Sequence, residues 1–81
     1  MLSKVEVYQL LTEVFNDVFR RNDLALTPEL SVADVPEWDS IKQIEIIMAI
    51  EERFAISINS SESDGMQNVG DFAKLIMTKV P

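Results

Sequence analysis

Apolar residues recur every three or four positions near the start of the chain, the spacing of one face of a helix. Ser3 with Glu6 three residues later forms a capping-box pattern, and Arg20 and Arg21 place cations where the carboxyl end of a helix dipole favours them. The pattern therefore predicts a first helix over residues 3 to 20. Its apolar face comprises Val7, Leu10, Leu11, Val14, Phe15, Val18 and Phe19.

The segment from residue 22 to 39 is predicted to be a long loop. It contains Thr27-Pro28 and Val35-Pro36, and each proline biases the residue before it away from helix. A short helical turn is expected at residues 27 to 29. Loops of this length are often held down by their own apolar side chains. The candidates here are Leu24, Leu26, Leu30, Val32 and Val35.

Helical spacing returns between Ser40 and Phe54, which predicts a second helix. One stripe contains Ile41, Ile44, Ile47, Met48 and Glu51, and two further isoleucines, Ile46 and Ile50, broaden it. So small a domain cannot easily bury every face of such a helix, so some of these isoleucines are expected to face partners. Ile44, Ile47 and Phe54 are assigned to the core.

Two further helices are predicted in the last third of the chain. A short one within residues 60 to 67 would start at Ser60 or Ser61 and stop at Gly65. A final helix over residues 68 to 79 would begin with Asn68 as its cap. Its inward stripe is predicted to be Val69, Phe72, Ile76 and Val80, and core positions are assigned to Phe72 and Ile76.

The predicted fold class is therefore all-α: a small four-helix bundle of three main helices plus one short helix, with a long first loop, in one domain over residues 1 to 81. Ile56 and Ile58 alternate with a polar residue as in a strand, but they have no second strand candidate to pair with and are assigned to loop.

Composition argues against an enzyme. The chain has no cysteine, hence no disulfide framework or thiolate metal site, and no histidine, the commonest general base. No metal site is predicted. Fourteen acidic against seven basic residues give a net charge of −7, which disfavours nucleic acids and anionic membranes and favours basic protein surfaces. With no span of about 20 apolar residues and no signal-like run at Met1-Leu2-Ser3-Lys4, the chain is predicted to be cytoplasmic. A monomer is expected.

Ser40 allows two interpretations. It lies at or just before a predicted helix amino terminus, where unpaired N–H groups and the positive end of the helix dipole favour a phosphate. Alternatively, Ser40 with Gln43 is a capping box, and Asp39 is itself a good cap, so the residues would merely start a helix. Taken locally, the second interpretation is the stronger.

The wider pattern resembles the acyl carrier protein family over nearly the whole chain. The segments that carry the resemblance are Asp39-Ser40-Ile41, Ile44-Glu45-Ile46, Ala49-Ile50-Glu51-Glu52-Arg53-Phe54, Leu26-Thr27-Pro28-Glu29, Ile56 to Asp64, and Asn68-Val69-Gly70-Asp71-Phe72. The resemblance implies a helical bundle that holds acyl groups as thioesters on a 4′-phosphopantetheine arm. A phosphopantetheinyl transferase would attach this arm, taken from coenzyme A, to Ser40. The thiol would then belong to the arm, in keeping with a chain that has no cysteine.

The same resemblance implies a docking surface for enzymes with basic faces that load, elongate or transfer the acyl group. Acidic contacts would come from Asp39, Glu45, Glu51 and Glu52, and apolar contacts from Ile41 and Met48. Residues 37 to 71 contain eight acidic and two basic side chains, which concentrates the negative field around Ser40. For each glutamate, the alternative is an ordinary solvated helix face.

Trp38 and Lys42 depart from the family pattern. Carriers of fatty acid synthesis usually have a small residue in place of Trp38 and an acidic first turn in place of Lys42, so the resemblance points towards discrete carriers of specialised pathways such as polyketide or modified aminoacyl assembly. Fatty acid synthesis stays open. The alternatives are a peptidyl or aryl carrier of nonribosomal peptide synthesis and an unmodified helical docking module.

Overall fold

The protein is described by a computed structural model over residues 3–80, in which four α-helices follow one another along the chain. Within these residues the only β pairing is a single bridge between Ser31 and Asn68. The all-α fold with one short helix is therefore confirmed. Met1, Leu2 and Pro81, which belong to the predicted domain and to the signal-peptide argument, lie outside the described residues. The helices are α1 (Lys4–Phe19), α2 (Ser40–Phe54), α3 (Ser60–Asp64) and α4 (Val69–Lys79).

Helix α1 begins at the predicted capping box. The Oγ atom of Ser3 accepts a 3.2 Å hydrogen bond from the N–H of Glu6, whose Oε1 accepts one of 3.0 Å from the N–H of Ser3. The helix ends at Arg20, which adopts a left-handed conformation with φ of 55°. The first predicted helix is thus confirmed to within a residue at each end.

The core lies where α1 packs against α2 and α4. Its largest fully buried side chains are Phe15, Phe72, Leu11, Ile46, Ile50, Ile76, Val7 and Val69. The inward stripe predicted for α4 is confirmed at Val69, Phe72 and Ile76, whereas Val80 is only half-buried at the margin. Burial of these aliphatic and aromatic side chains is the main stabilising term in a domain without disulfides.

Helix α2 turns a different face inward from the one predicted. Its buried residues are Ile46, Ile50 and Phe54, spaced four apart, so the core position of Phe54 is confirmed. The core assignment of Ile44 is wrong, since its side chain is 58% exposed, and Ile47 is only half-buried. Two apolar stripes overlap on this helix, and the packing against α1 selects the stripe of Ile46 and Ile50.

The long loop is held against the bundle, as predicted, but not by every expected residue. Its leucines Leu24, Leu26 and Leu30 pack on the core and Val35 is buried. Val32 is 44% exposed, so its predicted core contact is wrong. Instead of packing inward, Val32 starts a short 3-10 helix (Val32–Asp34) that the sequence pattern did not predict.

Backbone hydrogen bonds join this loop to the start of α4. The N–H of Val69 donates to the carbonyl of Leu30 at 2.9 Å, and the N–H of Gly70 donates to the carbonyl of Pro28 at 3.0 Å. A Cβ on Gly70 would lie 3.1 Å from that same Pro28 oxygen, so the close approach favours glycine. The expected helical turn at residues 27 to 29 is a single turn closed by a 3.1 Å bond from Leu30 to Thr27.

Asparagines cap the last two helices. Asn59, rather than the predicted Ser60 or Ser61, caps α3 by accepting a 2.8 Å hydrogen bond from the N–H of Glu62, and Gly65 ends the helix as predicted. The predicted cap of α4 is confirmed, with Asn68 accepting a 2.8 Å bond from the N–H of Asp71. Across residues 3–80, no helix is long and apolar enough to cross a membrane.

Candidate functional site at the start of the second helix

Ser40 is the first residue of α2 and is exposed. The cap is Asp39, whose Oδ1 accepts a 2.8 Å hydrogen bond from the N–H of Lys42. The alternative in which Ser40 and Gln43 form a capping box is wrong, because the Gln43 side chain bonds to Trp38 instead. The Ser40 hydroxyl forms no hydrogen bond within residues 3–80 and is therefore available to chemistry from outside.

The backbone around Ser40 suits an attached phosphate. The N–H groups of Lys42 and Gln43 are taken by the side chain and carbonyl of Asp39. Those of Ser40 and Ile41 find no acceptor among residues 3–80 and lie at the positive end of a 15-residue helix. Unpaired first-turn donors and the helix dipole both favour a phosphodiester at this position.

An aromatic cluster lies beneath the site. The indole of Trp38 meets Phe15 edge-on, with ring centroids 5.3 Å apart, and stacks on Phe72 at 6.2 Å with 29° between the planes. Phe19 completes the cluster at 6.2 Å from Trp38. The sequence pattern marked Trp38 only as a departure from the family and gave no sign that it is a core residue.

A solvent-open cleft of about 490 Å³ adjoins Ser40. Helix α2 contributes Gln43, Ile44 and Ile47 to its wall, and α3 faces them with Ser63 and Asp64. These two α3 residues were not predicted as site residues. The only sequence signal for these two residues was their place in the segment from Ile56 to Asp64. Their proximity to Ser40 depends on how α3 packs, which the sequence pattern does not show.

Four of the six predicted partner residues share one face of α2, the docking face. Ile41, Met48 and Glu52 are exposed there, and Glu45 is half-buried. Their spacings of four, three and four residues place them along a single line on a helix. Ile41 is 69% and Met48 63% exposed, which is unusual for such large apolar side chains. The face thus offers apolar contacts flanked by carboxylates.

The other two predicted partner residues, Asp39 and Glu51, make hydrogen bonds that stabilise the fold. Asp39 is exposed beside Ser40 but also caps α2. Glu51 is half-buried, and its Oε2 accepts a 2.8 Å hydrogen bond from the N–H of Ile58, which fixes the loop after α2. No three acidic side chains within residues 3–80 are grouped so that they could hold a metal ion.

Lys42, the unexpected cation of the first turn, joins two helices. Its Nζ donates a 3.2 Å hydrogen bond to the carbonyl of Val18 in the last turn of α1 and lies 3.2 Å from Oε1 of Glu45. A cation at the carboxyl end of α1 complements that helix dipole. The contact of Lys42 with Glu45 partly neutralises one carboxylate of the docking face.

Helix α3, the far wall of the cleft, is tied to α4 by an ion pair. Oε2 of Glu62 lies 3.2 Å from Nζ of Lys79. The N–H of Asn59, which donates to Oε1 of Glu62, and the Lys79 ammonium together hold the pKa of Glu62 below its ordinary value. The short helix is therefore anchored at its amino-terminal turn.

Comparison with known proteins agrees with this geometry. Residues 9–76 match the model of the family described as "Phosphopantetheine attachment site". The chain is 34% identical over 70 residues to an acyl carrier protein of Acidothermus cellulolyticus, covering 86% of this chain and 83% of that relative. It is 28% identical over 79 residues to an acyl carrier protein of Thermosynechococcus vestitus, covering 98% of each.

A solved structure has the same fold. The solution structure of a holo acyl carrier protein from Geobacter metallireducens superposes with a TM-score of 0.85 at 33% identity, over 90% of this chain and 84% of that one.

Proposed function

The chain belongs to the family of phosphopantetheine-binding acyl carrier proteins, and from this premise we propose that Ser40 is the residue to which the arm is attached. Members of the family are carriers rather than enzymes, and their 4′-phosphopantetheine is bound covalently. One observation carries the assignment to Ser40: its hydroxyl is exposed and unbonded at the first position of a helix whose first two N–H groups lack acceptors within residues 3–80.

Attachment is a phosphoryl transfer from coenzyme A. The Oγ atom of Ser40 bonds to the phosphorus next to the pantetheine, the pyrophosphate P–O bond breaks, and adenosine 3′,5′-bisphosphate leaves. The serine proton passes to a base that the transferase supplies. The protein's own contribution is to present the hydroxyl and to favour the resulting phosphodiester, which would make it a phosphoprotein.

Once attached, the arm supplies the thiol on which acyl groups are held as thioesters. The docking face of α2 would meet the transferase and the enzymes that load, elongate or accept the cargo. Exposed Ile41 and Met48 would provide contact area, while Glu45 and Glu52 would attract basic surfaces and raise the association rate. Asp39 would add its charge immediately beside Ser40.

The proposed pathway is specialised acyl assembly, of the polyketide type, with fatty acid synthesis as the second possibility. Trp38 supports this order because a buried indole beneath Ser40 leaves less room in the bundle for a long alkyl chain. The proposed location is the cytoplasm, since attachment requires coenzyme A as the donor. The protein is also proposed to act as a monomer.

Within the carrier class, the alternative to acyl assembly is a peptidyl or aryl carrier of nonribosomal peptide synthesis. Asp39 and Asp64 both line the cleft beside Ser40, a setting that tolerates the ammonium group of an aminoacyl cargo. Loading of the modified protein by an adenylating enzyme, rather than by an acyltransferase, would favour this candidate.

The intact mass of protein purified from its native cells tests the carrier function. A carrier is expected to show the added mass of phosphopantetheine or of an acylated form. Protein that is entirely unmodified, while a transferase is active in the same cells, would support the third alternative, a helical docking module.

A further inference from the structure

We propose that Trp38 closes the helix bundle to the cargo and confines the cargo to the solvent-open cleft beside Ser40. The protein would then carry short acyl groups in preference to long alkyl chains. The proposal rests on attachment at Ser40 and adds to it a residue that selects the class of cargo.

Trp38 lies between the cleft beside Ser40, whose lining it joins, and the aromatic rings of the core. It lies two residues before Ser40, and only 3% of its side chain is exposed. Its ring is in contact with α1 through Phe15 and with α4 through Phe72. Phe15 and Phe72 also meet each other, with ring centroids 6.0 Å apart, so the indole covers a closed aromatic contact between α1 and α4.

A hydrogen bond holds the indole in place. Nε1 of Trp38 donates to Oε1 of Gln43 at 2.7 Å in a part-buried setting. Swinging the ring outward would break this bond and expose a large aromatic surface, both of which cost free energy. Gln43 is therefore a positioning residue, one turn into the helix that starts at Ser40.

The interior behind the indole is already filled. Ile46 and Ile50 of α2 are fully buried, as are Phe15 and Phe72. A long alkyl chain could enter only by displacing these side chains, and a close-packed interior resists such a change in volume.

The solvent-open cleft beside Ser40 offers a different environment from the packed interior. Apolar side chains line part of it, but polar groups interrupt that lining and the cleft is open to solvent. The apolar residues are Val32, Trp38, Ile44, Ile47 and Met66, and the polar ones include Gln43, Ser63 and Asp64. A short acyl group fits beside Ile44 with its oxygens in water or near the polar side chains. A long alkyl chain would keep much of its surface exposed and gain little.

The direct test locates an eight-carbon cargo. A broad-specificity transferase loads the wild-type protein from coenzyme A carrying a uniformly ¹³C-labelled octanoyl group, and intact mass confirms loading. Filtered nuclear Overhauser spectra then identify the protein protons near the chain. Contacts confined to residues that line the cleft, such as the methyl groups of Val32 and Ile44, are expected. Contacts to Phe15 or Ile50 would overturn the inference and leave the carrier function standing.

The Tm of the acylated forms gives a second readout. In wild type, the octanoyl and acetyl forms are expected to differ by about 2 °C or less, because little more surface is buried. In Trp38→Leu, the vacated space is lined by phenylalanine rings, and the octanoyl form should melt roughly 5 to 10 °C above the acetyl form, since apolar cavities take up apolar groups.

The matched control is Phe54→Leu, which opens space at the opposite end of α2, away from Ser40, and should show the wild-type difference. If the octanoyl form of wild type melts roughly 5 to 10 °C above its acetyl form, the inference is overturned. Should Trp38→Leu fail to fold, the wild-type spectra decide alone. If wild type takes up no mass from the labelled coenzyme A, the attachment proposal fails and this inference with it, an outcome distinct from contacts in the core.

Discussion

The Oδ1 atom of Asp39 accepts a 2.8 Å hydrogen bond from the backbone N–H of Lys42. This contact makes Asp39 the cap of α2 and relieves the adjacent Ser40 hydroxyl of that role. The same carboxylate also brings negative charge next to the proposed attachment site. Its two roles, fixing the helix start and attracting a basic enzyme, can be separated by substitution.

Asp39→Asn keeps an acceptor for the Lys42 N–H but removes the charge, whereas Asp39→Ala removes both. The alanine variant should lose about 1 kcal/mol of unfolding free energy in urea titrations, and the asparagine variant clearly less, because asparagine is as good a cap as aspartate. Both should lower kcat/KM of the transferase, more at low salt than at high salt. Full transferase efficiency in Asp39→Asn would contradict the electrostatic role.

Glu51 and Glu52 are neighbours with opposite expected behaviour. Glu51→Ala removes the acceptor of the Ile58 N–H and should lower the unfolding free energy by about 1.5–3 kcal/mol, the usual range for a hydrogen bond to a charged group. Glu52→Ala should change it by less than about 0.5 kcal/mol but slow association with a basic partner. Urea titration and stopped-flow association measure the two effects, and equal stability losses would refute the distinction.

Lys42→Met should weaken the fold but strengthen docking. Loss of the contact with the Val18 carbonyl is expected to cost about 0.3–1 kcal/mol of unfolding free energy. Release of Glu45 from its ion pair should lower the transferase KM. Lys74→Met is the matched control, because it changes the net charge equally from an exposed position on α4. An equal fall in KM for both variants would show that only net charge matters.

Acid should destabilise the contact between α3 and α4. Because the folded-state pKa of Glu62 is lowered from 4.5, its ion pair and cap contribute stability above pH 4.5, and that contribution is lost as the pH falls through the lower folded value. Wild type should therefore lose more unfolding free energy below pH 4.5 than Glu62→Gln, which retains an oxygen for the Asn59 N–H. Parallel pH profiles from urea titrations would contradict this assignment.

Helix positions were predictable because their signals are local. Ser3 with Glu6 and Asn68 with Asp71 form the expected caps, and the periodic stripes of α1 and α4 each have a single apolar face. Helix α2 lacks that clarity, since its isoleucines define two overlapping stripes. Which stripe is buried depends on contacts with α1, which no local pattern encodes.

The site was predictable only in part. The position of Ser40 at a helix start follows from its neighbours and from the family resemblance. The hydrogen-bond partner of Gln43 does not follow from the sequence. Its Oε1 atom lies 2.7 Å from Nε1 of Trp38, and only the folded chain brings these two atoms together. Likewise, the sequence pattern did not separate the structural role of Glu51 from the exposed position of Glu52.

The most direct test of the account is the intact mass of wild type, Ser40→Ala and Ser63→Ala after incubation with coenzyme A, magnesium and a broad-specificity transferase. Ser63 is the matched control because it is the other serine of the same cleft. Wild type and Ser63→Ala should each gain one phosphopantetheinyl group, and Ser40→Ala should gain none. A gain that persists in Ser40→Ala, or no gain in folded wild type, would contradict the assignment of Ser40.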